Sequence, residues 1–221
     1  AAPGDVRLHR HQRDGAEGVQ RLLARHHGAL LADDVGLGKT YVALAVAADY
    51  RDVLIIAPAS LRTTWLHAAG AARVPVRFAS VERIARSASA AGNPDLIIVD
   101  EAHHLRSPRT RRFAVVATAC RTSHVLLLSA TPVQNRVGDL RALLSLFLGE
   151  HAGRMSLEEL SAFIVRRLAA NVDPGTVELP RVRRPVWLQP ALDVDCLDRI
   201  MRLPPPLPPA DGGGGAILLT Y

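Results

Sequence analysis

The segment DDVGLGKT at residues 33–40 decides how this sequence folds. It follows an apolar run, GALLAD at 28–33, and it precedes a stretch of helical length at 39–50. A strand, a glycine-containing loop and a helix in this order form the phosphate-binding loop of nucleotide-binding proteins. The usual pattern begins with glycine, whereas Asp33 occupies that place here, so the prediction depends on the strand and the helix on either side.

The residue types in this loop suit the binding of a triphosphate. Gly36 and Gly38 would allow backbone N–H groups to surround the β-phosphate. Lys39 would neutralise β- and γ-phosphate oxygens, and the Thr40 hydroxyl would hold Mg²⁺. Lys39 is also the only lysine in the chain. A lysine placed at random would fall there with a chance of about 1 in 200, so we infer that this position requires a compact ammonium group.

Apolar runs alternate with stretches of helical length through the first two thirds of the chain. The runs lie at 28–33, 53–58, 76–80, 95–100 and 124–130, and the intervening stretches lie at 39–50, 61–70, 81–91 and 108–120. Two flanking helices are indicated by Val19, Leu22 and Leu23 and by Leu140, Leu143, Leu144 and Phe147. The pattern predicts an α/β fold with a doubly wound, mainly parallel sheet flanked by helices.

A second motif, DLIIVDEAH at 95–103, places two acids at the end of a predicted strand. Metal-assisted phosphoryl transfer needs such acids, so Asp100 would organise Mg²⁺ and Glu101 would orient and deprotonate the attacking water. His103 could report the nucleotide state to the next motif. Acids at a strand end are often only part of a solvated turn. The phosphate loop in the same chain favours the catalytic interpretation.

A third motif, LLLSATPVQN at 126–135, follows another predicted strand. Hydroxyls of Ser129 and Thr131 could bond the tip of the acidic strand and relay the loss of the γ-phosphate, and we assign Gln134 to the same coupling group. Ser-Ala-Thr-Pro is also a common exit from a strand into a loop, so the motif gains weight only from its order after the other two.

These three motifs, in this order and spacing, resemble motifs I, II and III of superfamily 2 helicases. The D-D-x-G-L-G-K-T loop, APASLRTTW at 57–65, TPVQN at 131–135 and FIVRR at 163–167 are similar to the Swi/Snf group. The resemblance covers about residues 8–185, including LPR at 179–181. It implies the first RecA-like lobe of an ATPase that uses ATP and Mg²⁺ to move along double-stranded DNA.

The resemblance also implies roles for residues outside the three motifs. Gln12, in LHRHQRDGAEGV at 8–19, would lie beside the adenine, the alternative being a surface glutamine. Asp34, which stands where glutamate is usual, and Leu37 join the ATP-binding residues. Ser60 and Arg62 are candidates for contacts with DNA phosphates, although Ser60 could simply cap the following helix.

A looser match, FASVER at 78–83, adds Ser80 to the candidate DNA contacts. Arginine-rich stretches at 106–112 and 181–184 could strengthen the grip on DNA, or they could be ordinary solvated faces. The formal net charge of +6 permits nucleic-acid binding, but it would equally fit an arginine-rich bacterial proteome. We expect contacts with the DNA backbone and no base recognition.

The chain is expected to have four parts. These are an N-terminal helical segment with the adenine contact (1–27), a RecA-like ATP-binding core (28–150), a connector with a helix near 156–168 (151–190) and a Pro/Gly-rich tail leading to a second lobe (191–221). No region has room for that lobe, which would supply arginines to the transferring phosphoryl group, so this chain alone should hydrolyse ATP poorly.

Composition narrows the class of protein. Two cysteines offer neither a disulfide framework nor a cysteine metal site, and the nine histidines lack convincing ligand spacing. We find no membrane span or signal pattern, so we expect an intracellular, cytoplasmic protein. Two alternatives to a DNA translocase stay open: an RNA or strand-separating DEAD/DEAH helicase lobe, and a non-catalytic scaffold gated by nucleotide.

Overall fold

A six-stranded parallel β-sheet lies at the centre of the computed structural model, which describes residues 6–86, 91–130 and 137–168. The strands are β1 (Gly28–Leu31), β2 (Val53–Ala57), β3 (Arg77–Ser80), β4 (Leu96–Val99), β5 (His124–Leu128) and β6 (Ile164–Val165). Their spatial order is β3-β2-β4-β5-β1-β6, and every pairing is parallel. The prediction of an α/β fold with a doubly wound parallel sheet is therefore confirmed.

Helices cover both faces of this sheet. They are α1 (Arg10–His26), α2 (Lys39–Ala47), α3 (Arg62–Ala72), α4 (Val81–Arg86), α5 (Arg111–Cys120), α6 (Val137–Leu148), α7 (His151–Arg154) and α8 (Leu157–Ser161). Short 3₁₀ turns at Ala59–Leu61 and Ala102–Leu105 follow β2 and β4. All five strands and both flanking helices expected from the sequence are present within the described residues.

Successive residues of each strand point to opposite faces of the sheet, and both faces are buried. Leu30, Ile97 and Leu127 join one hydrophobic cluster, which packs against α5 and α6. Their neighbours along the strands join a second cluster with residues of α1, α2 and α3. Burial on both sides explains why β1, β2, β4 and β5 are continuous apolar runs rather than alternating apolar and polar residues.

The helix expected near 156–168 is wrong in its second half. Helix α8 ends at Ser161, and the chain then extends as β6, which pairs with β1. The backbone N–H groups of Leu30 and Ala32 donate to the carbonyl oxygens of Phe163 (2.9 Å) and Val165 (2.8 Å). Partner N–H groups on β1, together with β-branched side chains, stabilise a strand here more than a further helical turn would.

Parallel strands place the loops that follow them along one edge of the sheet, here called the carboxyl edge. The phosphate loop follows β1, the acidic pair follows β4 and Ser129 follows β5, so this edge gathers the motifs that are far apart in sequence. In the part of the chain that the structure describes, none of the helices has the length and apolar character required to cross a bilayer.

Candidate nucleotide-binding and catalytic site

The phosphate loop connects β1 to α2 through two glycines with positive φ. Gly36 has φ 86° and Gly38 has φ 78°, a left-handed conformation that a residue with a side chain rarely adopts. Helix α2 begins immediately afterwards, at Lys39. The loop and the N-terminus of α2, whose first-turn N–H groups have no partner within the helix, therefore lie at the carboxyl edge, as a phosphate-binding site requires.

The Lys39 side chain is held by backbone carbonyl groups of the phosphate loop. Its Nζ donates to the backbone oxygens of Asp33 (2.9 Å) and Asp34 (3.3 Å). Burial lowers the pKa of Lys39 below its usual value, while Asp33, Glu101, Asp100 and Asp34 oppose that shift. The ammonium group is thus half-buried among four carboxylates that come from two separate motifs.

Helix α1 contacts the opposite side of the loop. Gln12 Nε2 and His11 Nε2 each lie 3.3 Å from the backbone oxygen of Leu37, and Gln12 Oε1 accepts a hydrogen bond from the His9 N–H (3.0 Å). Gln12 is only 7% exposed, which excludes the alternative of a surface glutamine. A Cβ added at Gly38 would displace the Gln12 amide, and the positive φ of Gly38 would strain any other residue there.

The acidic pair follows β4 at the same edge. Asp100 Oδ2 accepts a hydrogen bond from the indole Nε1 of Trp65 (2.8 Å), and Oδ1 accepts one from the Glu101 N–H (2.8 Å). Burial raises the pKa of Asp100, and these two hydrogen bonds oppose that rise. Trp65 belongs to the segment APASLRTTW, but no motif or spacing in the sequence indicates that its indole contacts an acid 35 residues away.

Glu101 has φ 50°, one of three positive φ angles among the non-glycine residues that the structure describes. The backbone turns at this residue, immediately after Asp100. The Glu101 carboxylate lies 3.1 Å from His103 Nδ1. Burial and the neighbouring His104 lower the pKa of His103. His103 therefore contacts the catalytic candidate Glu101, and its role in reporting the nucleotide state to the next motif stays a prediction.

A buried ion pair, which we did not predict, fixes the entrance to the phosphate loop. Asp33 is fully buried, and its carboxylate accepts from the backbone N–H (2.9 Å), Nε (3.1 Å) and Nη2 of Arg167. The Asp34 N–H in turn donates to the Arg167 carbonyl oxygen (3.1 Å). Asp33, which breaks the usual glycine pattern, thereby joins the loop to the segment that follows β6.

The remaining candidates are distributed along the same edge. Thr40 is half-buried in the first turn of α2, and Ser129 is buried directly after β5, its N–H donating to the Leu31 oxygen (3.1 Å). Thr131 and Gln134 lie outside the described residues. Within those residues, no cluster of three or more His, Cys, Asp or Glu side chains could hold a metal ion.

The candidate DNA contacts follow β2 and β3. Ser60 and Arg62 are exposed, and Ser60 caps neither the 3₁₀ turn nor α3, whose N-caps are Pro58 and Leu61. The alternative that Ser60 is only a helix cap is therefore wrong. Ser80 Oγ accepts from the Arg83 N–H (3.2 Å) at the start of α4, which is a local structural role. The arginine-rich stretch at 106–112 is exposed throughout, whereas 181–184 lies outside the described residues.

The sequence of this chain is similar to those of known proteins. The SNF2-related domain family matches residues 76–163. Over 154 residues the chain is 34% identical to the SWI/SNF-related matrix-associated actin-dependent regulator of chromatin subfamily A-like protein 1 of Xenopus tropicalis, covering 58% of this chain and 16% of that protein. It is 31% identical over 163 residues to the uncharacterized ATP-dependent helicase YqhH of Bacillus subtilis, covering 62% of this chain and 29% of the helicase. The chain therefore spans less than a third of each relative.

Solved structures show the same fold. The SWI2/SNF2 ATPase core of Sulfolobus solfataricus in complex with double-stranded DNA aligns with a TM-score of 0.65 at 22% identity, covering 76% of this chain and 46% of that one. The structure of the Sulfolobus solfataricus SWI2/SNF2 ATPase core domain aligns with a TM-score of 0.61 at 21% identity, covering 74% of this chain and 44% of that one. These alignments confirm a RecA-like architecture.

Proposed function

We propose that this chain is the first RecA-like lobe of a Swi/Snf-type, helicase-like ATPase of superfamily 2, and that it binds ATP with Mg²⁺ as part of a motor that moves along double-stranded DNA. The observation that carries the proposal is the convergence of Lys39, Asp100 and Glu101. Lys39 precedes Asp100 by 61 residues in the sequence, yet both carboxylates act on the pKa of the ammonium group.

ATP binding would replace contacts that the lobe now makes with itself. Lys39 would transfer its N–H donors from the carbonyl oxygens of Asp33 and Asp34 to the β- and γ-phosphates. The N–H groups around Gly36 and Gly38 would donate to the β-phosphate. Gln12 would lie beside the adenine at the outer side of the loop, where it already contacts Leu37.

The oxygen atoms near Lys39 fit Mg²⁺, which prefers hard oxygen ligands and retains several waters. The Asp100 carboxylate and the Thr40 hydroxyl are the groups that would hold it. The bound ion would neutralise the charge that develops on the phosphate oxygens. The two hydrogen bonds that Asp100 accepts fix the orientation of its carboxylate, which is what a precise metal site needs.

Hydrolysis requires a group that orients water against the γ-phosphate, and we assign this role to Glu101. Its contact with His103 would hold the carboxylate until the nucleotide arrives. His103, Ser129, Thr131 and Gln134 would then transmit the loss of the γ-phosphate to the rest of the motor. Arginines of a second RecA-like lobe would complete the site, so this chain by itself would hydrolyse ATP slowly.

For the DNA contact we propose the exposed Ser60 and Arg62, with Ser80 in a weaker position because its hydroxyl already caps α4. A likeness to the core solved with double-stranded DNA supports duplex DNA as the track. We also propose that the chain has four parts. Residues 1–27 form the adenine-contact segment, 28–150 the core, 151–190 a connector and 191–221 a tail.

Steady-state ATPase assays with duplex DNA, single-stranded DNA and RNA test the proposal. We expect duplex DNA to stimulate best, and the rate of a protein that extends into the next domain should far exceed that of the 221-residue chain. Glu101→Gln should keep ATP binding and lose hydrolysis, and Glu158→Gln, which removes the same charge at an exposed position of α8, serves as the control.

Three outcomes would contradict this proposal in different ways. A preference for RNA would favour the RNA helicase alternative. ATP binding with no hydrolysis in the extended protein would favour a nucleotide-gated scaffold. Equal rates for the chain and the extended protein would exclude the two-lobe mechanism.

A further inference from the structure

A buried indole connects the candidate DNA-contact segment to the candidate metal-organising acid. Trp65 is 1% exposed and lies on α3, one helical turn after Arg62 and close behind Ser60. Its Nε1 donates to Asp100 Oδ2 over 2.8 Å. Trp65 belongs to the hydrophobic cluster that the strands form with α1, α2 and α3, so a movement of α3 would move the indole ring.

The hydrogen bond between Trp65 and Asp100 can be broken by a small movement of a helix. A donor–acceptor distance of 2.8 Å becomes too long for a useful hydrogen bond beyond roughly 3.5 Å. A helix moves as a rigid body, and shifts of about 1 Å are common in conformational transitions. A displacement of α3 by less than about 1 Å along the bond would therefore break the contact with Asp100.

We propose that Trp65 is a positioning residue that ties the orientation of the Asp100 carboxylate, and through it the affinity for Mg²⁺, to the placement of α3 on DNA. This inference rests on the proposed function, because it assigns Asp100 to Mg²⁺ and the start of α3 to DNA. A buried indole N–H needs an acceptor, and a backbone carbonyl oxygen would be sufficient for a tryptophan with only a structural role. Trp65 instead directs its one polar atom at a functional carboxylate whose second oxygen is already bonded.

Removing the N–H while keeping the ring tests the proposal. Trp65→Phe removes the donor, and replacement of Trp65 by benzothienylalanine removes it with almost no change in shape. Groups that orient a metal ligand typically change metal affinity or activity by about 10–100-fold when they are lost. Both variants should raise the half-saturating Mg²⁺ concentration for binding of a fluorescent ATP analogue by roughly tenfold or more.

The stimulation by DNA should change together with Mg²⁺ affinity. In the extended protein, both variants should lower the DNA-stimulated kcat by about 10–100-fold, with a change in the KM for ATP below roughly threefold. Phe113→Leu is the matched control, because Phe113 is a buried aromatic in the other hydrophobic cluster. It should destabilise the protein without altering the Mg²⁺ dependence.

Tryptophan fluorescence tests the connection without measuring hydrolysis. The chain has two tryptophans, so Trp187→Phe leaves Trp65 as the only indole. Its emission should shift on addition of MgCl₂ with a non-hydrolysable ATP analogue, and again on addition of duplex DNA. If the proposed function is wrong, the wild-type protein will show no DNA-stimulated hydrolysis. The Mg²⁺ titration of the variants tests the role of Trp65 separately.

The proposal is overturned if the benzothienylalanine variant binds Mg²⁺ and responds to DNA within twofold of the wild type. It is also overturned if the emission of Trp65 is unchanged by both ligands. If Trp65→Phe fails to fold, the benzothienylalanine variant, which keeps the ring packing, decides between a positioning role and a purely structural one.

Discussion

Replacement of Arg167 by methionine tests the ion pair that fixes the phosphate loop. Asp33 is fully buried and the Arg167 side chain is 16% exposed, so solvent screens this pair weakly. The change removes the Nε and Nη2 donors and leaves the Asp33 carboxylate with the backbone N–H of residue 167. A buried charge that loses its partner typically costs about 3–5 kcal/mol, a large part of the roughly 5–15 kcal/mol that stabilises a domain.

Urea unfolding followed by circular dichroism would measure this loss, and thermal unfolding would show it as a midpoint lower by roughly 6–20 °C. ATP affinity should fall as well, because the carbonyl oxygens that hold Lys39 belong to the anchored residues Asp33 and Asp34. Arg166→Met is the matched control, since Arg166 is exposed and adjacent, and it should change stability by less than about 0.5 kcal/mol.

A double variant separates the ion pair from loss of packing. Asp33→Asn combined with Arg167→Met removes the buried charge, so it should be more stable than Arg167→Met alone. Equal stability of Arg167→Met, Arg166→Met and the wild type would refute the reasoning, because an uncompensated buried carboxylate cannot be free of cost.

Three further predictions concern single sites. Gly15→Ala should destabilise the fold because its Cβ would collide with the guanidinium group that pairs with Asp33, whereas Gly70→Ala, which meets nothing, should be neutral or stabilising by about 0.4–1 kcal/mol; urea unfolding compares them. Burial raises the pKa of Cys120 to about 12, so at pH 8 a thiol reagent should label it only on unfolding, and labelling of the native Cys196→Ser variant would contradict this. Lys39→Arg should weaken binding of a fluorescent ATP analogue by roughly tenfold or more, and unchanged binding would refute the requirement for an ammonium group.

The motifs allowed the core of the site to be predicted because each one lies at the end of a strand. Once DDVGLGKT and DLIIVDEAH follow parallel strands of one sheet, they must share its carboxyl edge, whatever the rest of the chain does. Apolar runs of four or five residues bounded by polar ones were sufficient to predict the strands, because both faces of the sheet are buried.

The sequence by itself therefore determined the parallel sheet, the phosphate loop and the placement of Lys39 near Asp100 and Glu101. Only the tertiary structure decided that Arg167 pairs with Asp33, that Trp65 bonds Asp100 and that residues 164–165 form a strand. The physical reason is that periodicity and motif spacing describe local backbone geometry, whereas these contacts depend on side chains that meet after the sheet and helices have packed.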